Sequence, residues 1–354
     1  MTTTIVVNRH DLADAWIETR EPVPLADGQV RVKTGRFALT ANNVTYGIAG
    51  EMAGYWRFFP AEAPEGIVPV WGFATVCESR VADLPVGTEI WGYLPMASDL
   101  VLQPGPVSAT GFMDISAHRR DLPPVYNHYA LTSADTPELK AAGDARSLFF
   151  PLLMTGYVLA DWLEDQEFRG AEQIVVSSAS SKTGFALAFC VGAKRHAIGL
   201  TSPKNLEFVR RLGCFDEVFA YGEVETLDAS KPTLFIDMAG SIGVTQAVHR
   251  HFGKQLKASV AVGLTHWQDH GVVGELEGPT PEFFFVPDQI QKRDREWGTG
   301  ELRRRADTAS VALLPRIEER VNVRRLQGAE HVLKGWVDLV KGRIPPAWGL
   351  VGAF

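Results

Sequence analysis

The sequence contains few cysteines, no long apolar run and no excess of positive charge. Its cysteines, Cys77, Cys190 and Cys214, are scattered and show neither a disulfide framework nor a zinc spacing. No run approaches the ~18 apolar residues of a membrane span, and the first residues lack the basic and apolar regions of a signal peptide. The formal net charge of -7 argues against a nucleic-acid partner. These absences predict a cytoplasmic protein that binds neither membranes nor nucleic acids.

The chain of 354 residues is long enough for two domains with full hydrophobic cores. Residues 1–140 contain short alternating patterns, such as 29–33, separated by glycine and proline, and they predict a small barrel-like β domain. In residues 141–290, apolar strands alternate with helical patterns. That alternation predicts a parallel, doubly wound sheet and therefore an α/β fold. Residues 291–354 form a third segment with helical and strand patterns.

The elements of the second domain can be predicted individually from their apolar patterns. The predicted strands are 174–176, 196–200, 217–220, 233–237 and 258–264. The segment 266–300 is long, aromatic and charged, which predicts an irregular loop that binds substrate or a partner. Within it, Lys292 and Arg293 either contact an anionic group or are exposed loop charges.

The strongest functional signal is the segment 173–205, which predicts a strand, a tight turn, a buried helix and a second strand. A helix N-terminus leaves backbone N–H groups unpaired and carries partial positive charge. A turn of small residues in front of it therefore lets a pyrophosphate approach closely. This arrangement is typical of the βαβ units that bind dinucleotides.

The turn departs from the usual three-glycine fingerprint, because only Gly184 occupies a glycine position of A-x-G-G-x-G. The serines are small and can donate to phosphate, and Lys182 adds a positive charge. The alternative is an ordinary turn capped by Ser180 or Ser181. The residues predicted to hold the pyrophosphate are Ser178, Ala179, Ser180, Ser181, Lys182, Thr183 and Gly184.

The end of the second strand selects between the nicotinamide cofactors. NAD-binding units place an Asp or Glu there, about 20 residues past the first glycine position, to hold the ribose 2′-hydroxyl. Residues 200–205 contain no acid and instead supply hydroxyls and a lysine, which suit a 2′-phosphate. We therefore predict that NADP(H) is bound, with Ser202 serving also, or only, as a helix cap. The residues predicted to contact this phosphate are Thr201, Ser202, Lys204 and Asn205.

The order of these patterns along the whole chain resembles the medium-chain dehydrogenase/reductase superfamily. Residues 152–160 resemble its L-P-x-T-G-x-T-A helix start, 208–218 its helix-to-strand element, and 235–240 the strand whose end lies beside the nicotinamide. The resemblance implies a Rossmann-type domain and a GroES-like β-barrel domain, to which residues 291–354 return. It also implies a homodimer formed through the edge of the Rossmann sheet.

Zinc-using members of this superfamily carry a Gly-His-Glu sequence and cysteine ligands. The matching place here, 69–73, has no His or Glu. Catalytic zinc needs about three protein ligands, so we predict no metal and no Lewis acid for alcohol oxidation. What is left resembles the zinc-free quinone oxidoreductases and enoyl reductases, which pass hydride from NADPH to an activated C=C or a quinone. The stretches 55–60 and 292–298 resemble a bacterial branch of the superfamily, which by itself implies no activity.

The resemblance also implies roles for single residues. A tyrosine after the first long strand is the proposed acid of zinc-free enoyl reductases. It is matched in the loop 40–46, extended to 54–56, first by Tyr55 and second by Tyr46, unless these rings only pack. Asn43 either orients the substrate carbonyl or caps a turn. The positions expected near the nicotinamide are Thr155, unless its hydroxyl bonds back within its own helix, and Ala239, Gly240, Gly263 and Leu264, through their backbone.

These observations lead to one principal hypothesis, a zinc-independent NADPH-dependent oxidoreductase that acts on an enone, an enoyl thioester or a quinone. A second enzyme hypothesis is an NADPH-dependent reductase of simple aldehydes or ketones. Two alternatives without turnover are an NADPH-binding sensor or partner protein and an interaction protein that has lost the cofactor. The aromatic residues of the β domain suit a small apolar carbonyl or quinone, and they do not distinguish among such substrates.

Overall fold

The computed structural model describes residues 1–262 and 276–354. It divides into two compact units. Unit 1 combines Met1–Leu148 with Asn322–Phe354, and unit 2 is Phe149–Val321. Residues 291–321 thus lie in unit 2 rather than with the third segment expected from the sequence. The reason is that they are helical and pack against other helices of unit 2.

Unit 1 consists mainly of antiparallel β structure. A hairpin of β1 (Thr2–Asn8) and β2 (Asp11–Arg20) forms a three-stranded sheet with β4 (Glu65–Gly66). The strands of its larger sheet are β3 (Val30–Leu39), β5 (Pro69–Ser79), β6 (Glu89–Pro95), β7 (Asp99–Leu102), β8 (Gly111–Met113), β9 (His128–Leu131), β16 (Asn322–Gln327) and β17 (Trp348–Ala353). Their order is β16-β17-β3-β5-β6-β9-β8, and β7 also pairs with β3.

The core of unit 1 follows from the alternation that the sequence showed. In β3, the side chains of Val30, Val32 and Thr34 are buried, whereas Lys33, which lies between Val32 and Thr34, is exposed. A period of two places every second side chain on one face of the sheet. The strand predicted at 29–33 is therefore confirmed, and it extends further than predicted, to Leu39.

Unit 1 also has helices, and one of them corrects a prediction. They are α1 (Ala41–Ile48), α2 (Pro137–Ala142) and α9 (Ala329–Val340). The loop predicted over 40–46 is wrong, because α1 occupies it. The helix starts where the N–H and hydroxyl of Thr40 both donate to Oδ1 of Asn43, over 2.6 and 3.2 Å. Thr followed by Asn three residues later is a local helix-start signal.

Unit 2 is built on one parallel sheet. Its strands are β10 (Gln173–Val176), β11 (His196–Thr201), β12 (Glu217–Ala220), β13 (Thr233–Asp237), β14 (Leu256–Ala261) and β15 (Glu282–Phe283). Their order is β12-β11-β10-β13-β14-β15. The chain thus steps outward from β10 first on one side and then on the other. The switch point between β10 and β13 is where open α/β sheets bind ligands at the carboxyl ends of the strands.

Helices accompany the parallel sheet. They are α3 (Asp144–Asp165), inside which the first boundary between the units falls, α4 (Lys182–Val191), α5 (Leu206–Leu212), α6 (Ile242–Phe252), α7 (Val286–Trp297) and α8 (Glu301–Glu318). α3 and α4 approach closely at Gly156, where an added Cβ would lie 2.7 Å from Cβ of Ala186. Among the residues described, no helix has the length and apolar character needed to cross a bilayer.

Helix α7 overturns the irregular loop predicted for that part of 266–300. Its buried residues include Gln289 and Arg293, which lie one turn apart and both donate to Oδ2 of Asp161, over 2.6 and 2.8 Å. The helix was missed because its buried face is partly polar, so the sequence lacks the apolar periodicity that predicts a helix.

Lys292 and Arg293, for which the sequence left open contact with an anionic group or exposure as loop charges, both form ion pairs with carboxylates of α3. Arg293 is buried, forms ion pairs with Asp161 and Asp165, and lies 4.4 Å from the ring centre of Trp297. Lys292 pairs with Asp165 over 2.6 Å. Both side chains therefore bind α7 to α3 and are not loop charges.

Candidate functional site

The turn between β10 and α4 contains a serine in a backbone conformation that favours glycine. Ser178 adopts a left-handed conformation with φ of 49°, which glycine adopts at little cost and serine does not. Its N–H donates to the hydroxyl of Tyr221 over 3.1 Å. Tyr221 follows strand β12, which is separated from β10 by β11, and it carries no local motif from which its role could be predicted.

The N-terminus of α4 presents open backbone donors. Ser181 caps the helix, since its hydroxyl accepts from the N–H of Gly184 over 3.1 Å. Within the described chain, the N–H groups of Ser180, Lys182 and Thr183 have no acceptor. The cap that the sequence offered as an alternative is therefore present, and it leaves donors for an anion.

Gly184 is required where the turn becomes a helix. A Cβ added there would lie 2.9 Å from the Ser181 hydroxyl and 3.0 Å from the carbonyl oxygen of Ser178. Real Cβ atoms do not approach other atoms this closely, so a side chain would displace the cap. The one retained glycine of the fingerprint thus maintains the tight turn.

Lys182 is a half-buried cation without a matching anion. No carboxylate of the described chain pairs with it, and its Nζ lies 5.8 Å from the ring centre of Phe149. Burial lowers the pKa of Lys182 to about 8 because the ammonium loses hydration. A phosphate at the N-terminus of α4 would compensate this charge.

The carboxyl end of β11 contains a polar group that lacks a partner. The Ser202 hydroxyl is buried and forms no hydrogen bond within the described chain, including none as a helix cap. The Ser180 hydroxyl nearby accepts from Thr201 over 3.4 Å and from Asn205 over 3.3 Å. Lys204 is exposed. Buried polar groups are normally paired, so the Ser202 hydroxyl fits a ligand such as the predicted 2′-phosphate.

The end of β13 is fixed by a buried carboxylate. Oδ1 of Asp237 accepts from the hydroxyl of Ser177 over 2.6 Å and from the N–H groups of Ala239 and Gly240, both over 3.0 Å. Its Oδ2 accepts from the hydroxyl of Thr245 over 3.1 Å. Ala239 and Gly240 could be predicted from the sequence. The Asp237 carboxylate, which fixes their N–H groups, and the Ser177 hydroxyl that bonds it were not predicted, although both lie at strand ends of the switch point.

Of the three other residues predicted near the nicotinamide, the structure describes Thr155 only. The hydroxyl of Thr155 donates to the carbonyl oxygen of Pro151 over 3.0 Å, which is the helix-internal bond that the sequence offered as an alternative. Gly263 and Leu264 lie outside the described residues.

The tyrosines predicted as acids belong to an aromatic cluster in unit 1. Tyr46 is buried, and its oxygen accepts from Nδ2 of Asn42 over 2.7 Å and from Nε1 of Trp71 over 3.1 Å. Burial raises the pKa of Tyr46 well above its ordinary value. Tyr93 is completely buried beside it, and its hydroxyl forms no hydrogen bond within the described chain.

Tyr55 is the more accessible of the two predicted acids. It is half-buried, and its hydroxyl lies 3.1 Å from that of Tyr126. The two rings meet edge to face, with centroids 5.6 Å apart. Burial raises the pKa of both phenols, so both carry their protons at neutral pH.

Asn43, the third predicted catalytic residue, is buried and uses both ends of its side chain within the protein. Oδ1 accepts from Thr40, and Nδ2 donates to the carbonyl oxygen of Pro69 over 2.9 Å. This geometry favours the capping role over the orientation of a substrate. Among the described residues, no group of three His, Cys, Asp or Glu side chains could hold a metal ion, and zinc independence stays a prediction.

Solved structures share this fold over their full length. CurA from Vibrio vulnificus in complex with NADPH has a TM-score of 0.63 and 13% identity, covering 99% of this chain and 98% of that one. The yhdH oxidoreductase from Salmonella enterica in complex with NADP has a TM-score of 0.54 and 13% identity, and the match covers 99% of each chain. A mutant enoyl thioester reductase from Candida tropicalis has a TM-score of 0.54 and 11% identity, and the match covers 100% of this chain and 99% of that one.

These likenesses confirm the predicted fold, a Rossmann-type parallel sheet with a GroES-like β domain. No curated protein has a matching sequence. A family model described as "Protein of unknown function (DUF2855)" matches residues 37–345. Because this match covers most of the chain, the protein belongs to that family.

Proposed function

We propose that the protein is a zinc-independent, NADPH-dependent reductase that delivers hydride to an activated C=C bond or a quinone. The observation that carries the proposal is the open N-terminus of α4. There, N–H groups that have no acceptor among the described residues adjoin the charge of Lys182, with which no described carboxylate pairs. The shared fold supports it, since CurA and yhdH were solved with NADPH or NADP.

The residues present fit this cofactor. The open N–H groups of Ser180, Lys182 and Thr183 would donate to the pyrophosphate, and the Lys182 ammonium would offset its charge. The unpartnered hydroxyl of Ser202 and the exposed Lys204 would hold the 2′-phosphate. A 2′-hydroxyl offers Lys204 no charge to pair with, so the site favours NADPH over NADH.

When bound, NADPH supplies the hydride, and a side chain of the protein then has to donate a proton to the substrate. Hydride addition to a conjugated carbonyl leaves negative charge on the substrate oxygen, which requires a donor. Tyr55 is our candidate, because the residue is only half-buried, whereas Tyr46 is buried and its oxygen already accepts two N–H groups. No step of this proposal uses a metal.

The deciding experiment is a comparison of NADPH with NADH. Ligand binding raises the melting temperature by mass action even without turnover, and tryptophan fluorescence gives an independent binding curve. We expect preferential stabilisation by NADPH, followed by NADPH oxidation with one or more members of a panel of enones, enoyl thioesters and quinones. Binding without any oxidation would instead support the sensor hypothesis, and no binding of either nucleotide would overturn the proposal.

A further inference from the structure

Two phenol hydroxyls meet within the aromatic cluster of unit 1. Tyr55 follows Gly54, which has φ of 74°, and lies on a short turn, Tyr55–Arg57. Tyr126 ends a second turn, Pro124–Tyr126, far along the chain. Their hydroxyls are 3.1 Å apart. The contact therefore depends on the folded unit and not on local sequence.

The other two phenols of the cluster are less suitable for contact with a ligand. Tyr46 is 4% exposed, and its oxygen already accepts two N–H groups. Tyr93 is 0% exposed. Tyr55 and Tyr126 are both half-buried, so they are the two phenols of the cluster better placed for contact with a small molecule.

The surroundings of Tyr126 fix the position of its ring. Its centroid lies 4.8 Å from that of Tyr93, 5.4 Å from that of Phe58 and 6.1 Å from that of Trp71. Aromatic rings packed at these distances hold one another in a defined orientation. The Tyr126 hydroxyl is therefore preorganised beside the oxygen of Tyr55.

We propose that Tyr126 is a positioning residue, which donates its hydroxyl proton to the Tyr55 oxygen and directs the Tyr55 O–H toward the substrate as the proton donor. This inference rests on the reductase function proposed above. The direction of the bond agrees with the titration behaviour. Burial raises the pKa of Tyr55, and the hydrogen bond from Tyr126 opposes that rise.

The proton and electrons of this step balance. Hydride addition brings both electrons to the substrate and leaves an enolate or a hydroquinone anion. The Tyr55 O–H bond then breaks as a new bond to hydrogen forms on the substrate. The phenolate left on Tyr55 accepts the hydrogen bond of Tyr126 until water returns a proton. A charge-assisted hydrogen bond is stronger than a neutral one, so Tyr126 stabilises the state that follows proton transfer.

The kinetic test is a double-mutant cycle on the complete protein, run with NADPH and the best substrate from the panel. We expect Tyr55→Phe to lower kcat about 100-fold or more, and Tyr126→Phe to lower it about tenfold with little change in KM. The double variant should be no slower than Tyr55→Phe, because Tyr126 acts through Tyr55. Additive losses would overturn the proposal, since they would show independent effects on packing.

Two further variants sharpen the comparison. Tyr157→Phe removes a hydroxyl from α3 in unit 2 and should leave kcat unchanged. Tyr46→Phe tests the competing assignment within the cluster. If Tyr46→Phe abolished turnover while Tyr126→Phe had no effect, Tyr46 would be the donor and the proposal would be wrong. A larger solvent isotope effect in Tyr126→Phe would show that proton transfer has become slower, which a loss of stability alone does not cause.

A second readout needs neither cofactor nor turnover. The planar anion 4-nitrophenolate presents an oxygen that mimics an enolate oxygen, and its visible absorbance shifts when that oxygen accepts a hydrogen bond. We expect wild-type protein and Tyr157→Phe to bind it, Tyr126→Phe to bind more weakly, and Tyr55→Phe to bind at least tenfold more weakly. No binding by wild type, or equal binding by all variants, would overturn the inference. Failure of the proposed function would appear separately, as a missing stabilisation by NADPH.

Discussion

The hydroxyl of Ser177 donates to the carboxylate of Asp237 over 2.6 Å and joins the ends of β10 and β13. These are the strands between which the sheet reverses its order. The N–H of Met238 donates back to the Ser177 hydroxyl over 2.9 Å. The bond therefore fixes the position of the β13 end relative to the phosphate turn.

The first prediction concerns this carboxylate. Asp237→Asn should lower the free energy of unfolding by about 1–3 kcal/mol, because the amide replaces one of two charged acceptors that serve buried donors. It should also weaken NADPH binding, since the backbone of Ala239 and Gly240 loses its fixed partner. Urea denaturation and a thermal shift with NADPH measure the two effects. Glu225→Gln, at an exposed position, should change neither.

The second prediction concerns cofactor choice. The combined change Ser202→Ala and Lys204→Ala should weaken NADPH binding more than tenfold, or about 1.4 kcal/mol, and leave NADH binding nearly unchanged. The reason is that the hydroxyl without a partner and the exposed lysine lie where the 2′-phosphate is expected. Fluorescence titration with each nucleotide checks this. Equal losses for both nucleotides would contradict the assignment.

The third prediction is a pH dependence set by Lys182. In the free protein, burial lowers its pKa to about 8, and a bound pyrophosphate should raise that pKa again. Below pH 8 the lysine is charged both before and after binding, so affinity is greatest there. Above pH 8 binding must take up a proton, and the Kd for NADPH should rise by up to tenfold per pH unit.

Variants separate this effect from general alkaline weakening. Lys182→Gln should bind NADPH more weakly at neutral pH and lose the pH dependence above pH 8. Lys257→Gln, at an exposed position of β14, should keep the wild-type profile. A pH profile that Lys182→Gln shares with wild type would assign the titration to another group.

The fourth prediction compares adjacent cations of α7. Arg293→Met removes a buried ion pair and leaves the carboxylate of Asp161 without its cation. It should therefore lower the free energy of unfolding by about 3–5 kcal/mol. Lys292→Met breaks a more exposed pair with Asp165 and should lower the free energy of unfolding much less. Urea denaturation of both variants measures the difference. Similar costs for the two would show that burial of Arg293 is not the deciding factor.

The fifth prediction concerns alkaline pH. Burial raises the pKa of all seven tyrosines, and that of Tyr129 to about 12. Because the folded pKa exceeds the unfolded value of about 10, this contribution to stability is complete below pH 10 and is lost as pH rises toward 12 and above. Native protein at pH 11 should show little tyrosinate absorbance, and unfolding in urea at that pH should reveal it. A gradual rise centred near pH 10 would show exposed phenols.

Where apolar residues recur with the period of an element, the sequence predicted the element closely. The predicted strand 233–237 agrees with β13. Helix α7 escaped prediction because Arg293 and Gln289 replace apolar residues on its buried face. Periodicity reports burial of apolar side chains, so an element held by buried polar contacts is invisible to it.

The residues of the candidate sites likewise differ in whether a local sequence pattern predicts them. Ser202 and Lys204 could be named from the sequence because they occupy fixed positions after a strand of the βαβ unit. Tyr126 could not, because it follows no motif and meets Tyr55 from 71 residues away. Tyr221 likewise reaches Ser178 from another strand. Contacts that tertiary packing creates between distant segments have no local pattern from which they can be predicted.

The chain order of the units has a consequence for synthesis on the ribosome. Strand β3 of unit 1 pairs with β17, which begins only at Trp348, whereas every strand of unit 2 lies within Phe149–Val321. Unit 2 can therefore fold while the larger sheet of unit 1 still has an open edge at β3. Residues 30–33 of that edge pair with β7, and residues 36–39 pair with β17. At about 5–20 residues per second, the second part stays unpaired for about 15–60 s after β3 emerges. An unpaired edge strand is a template for aggregation, so the nascent chain is most exposed to misassembly before its final strand is made.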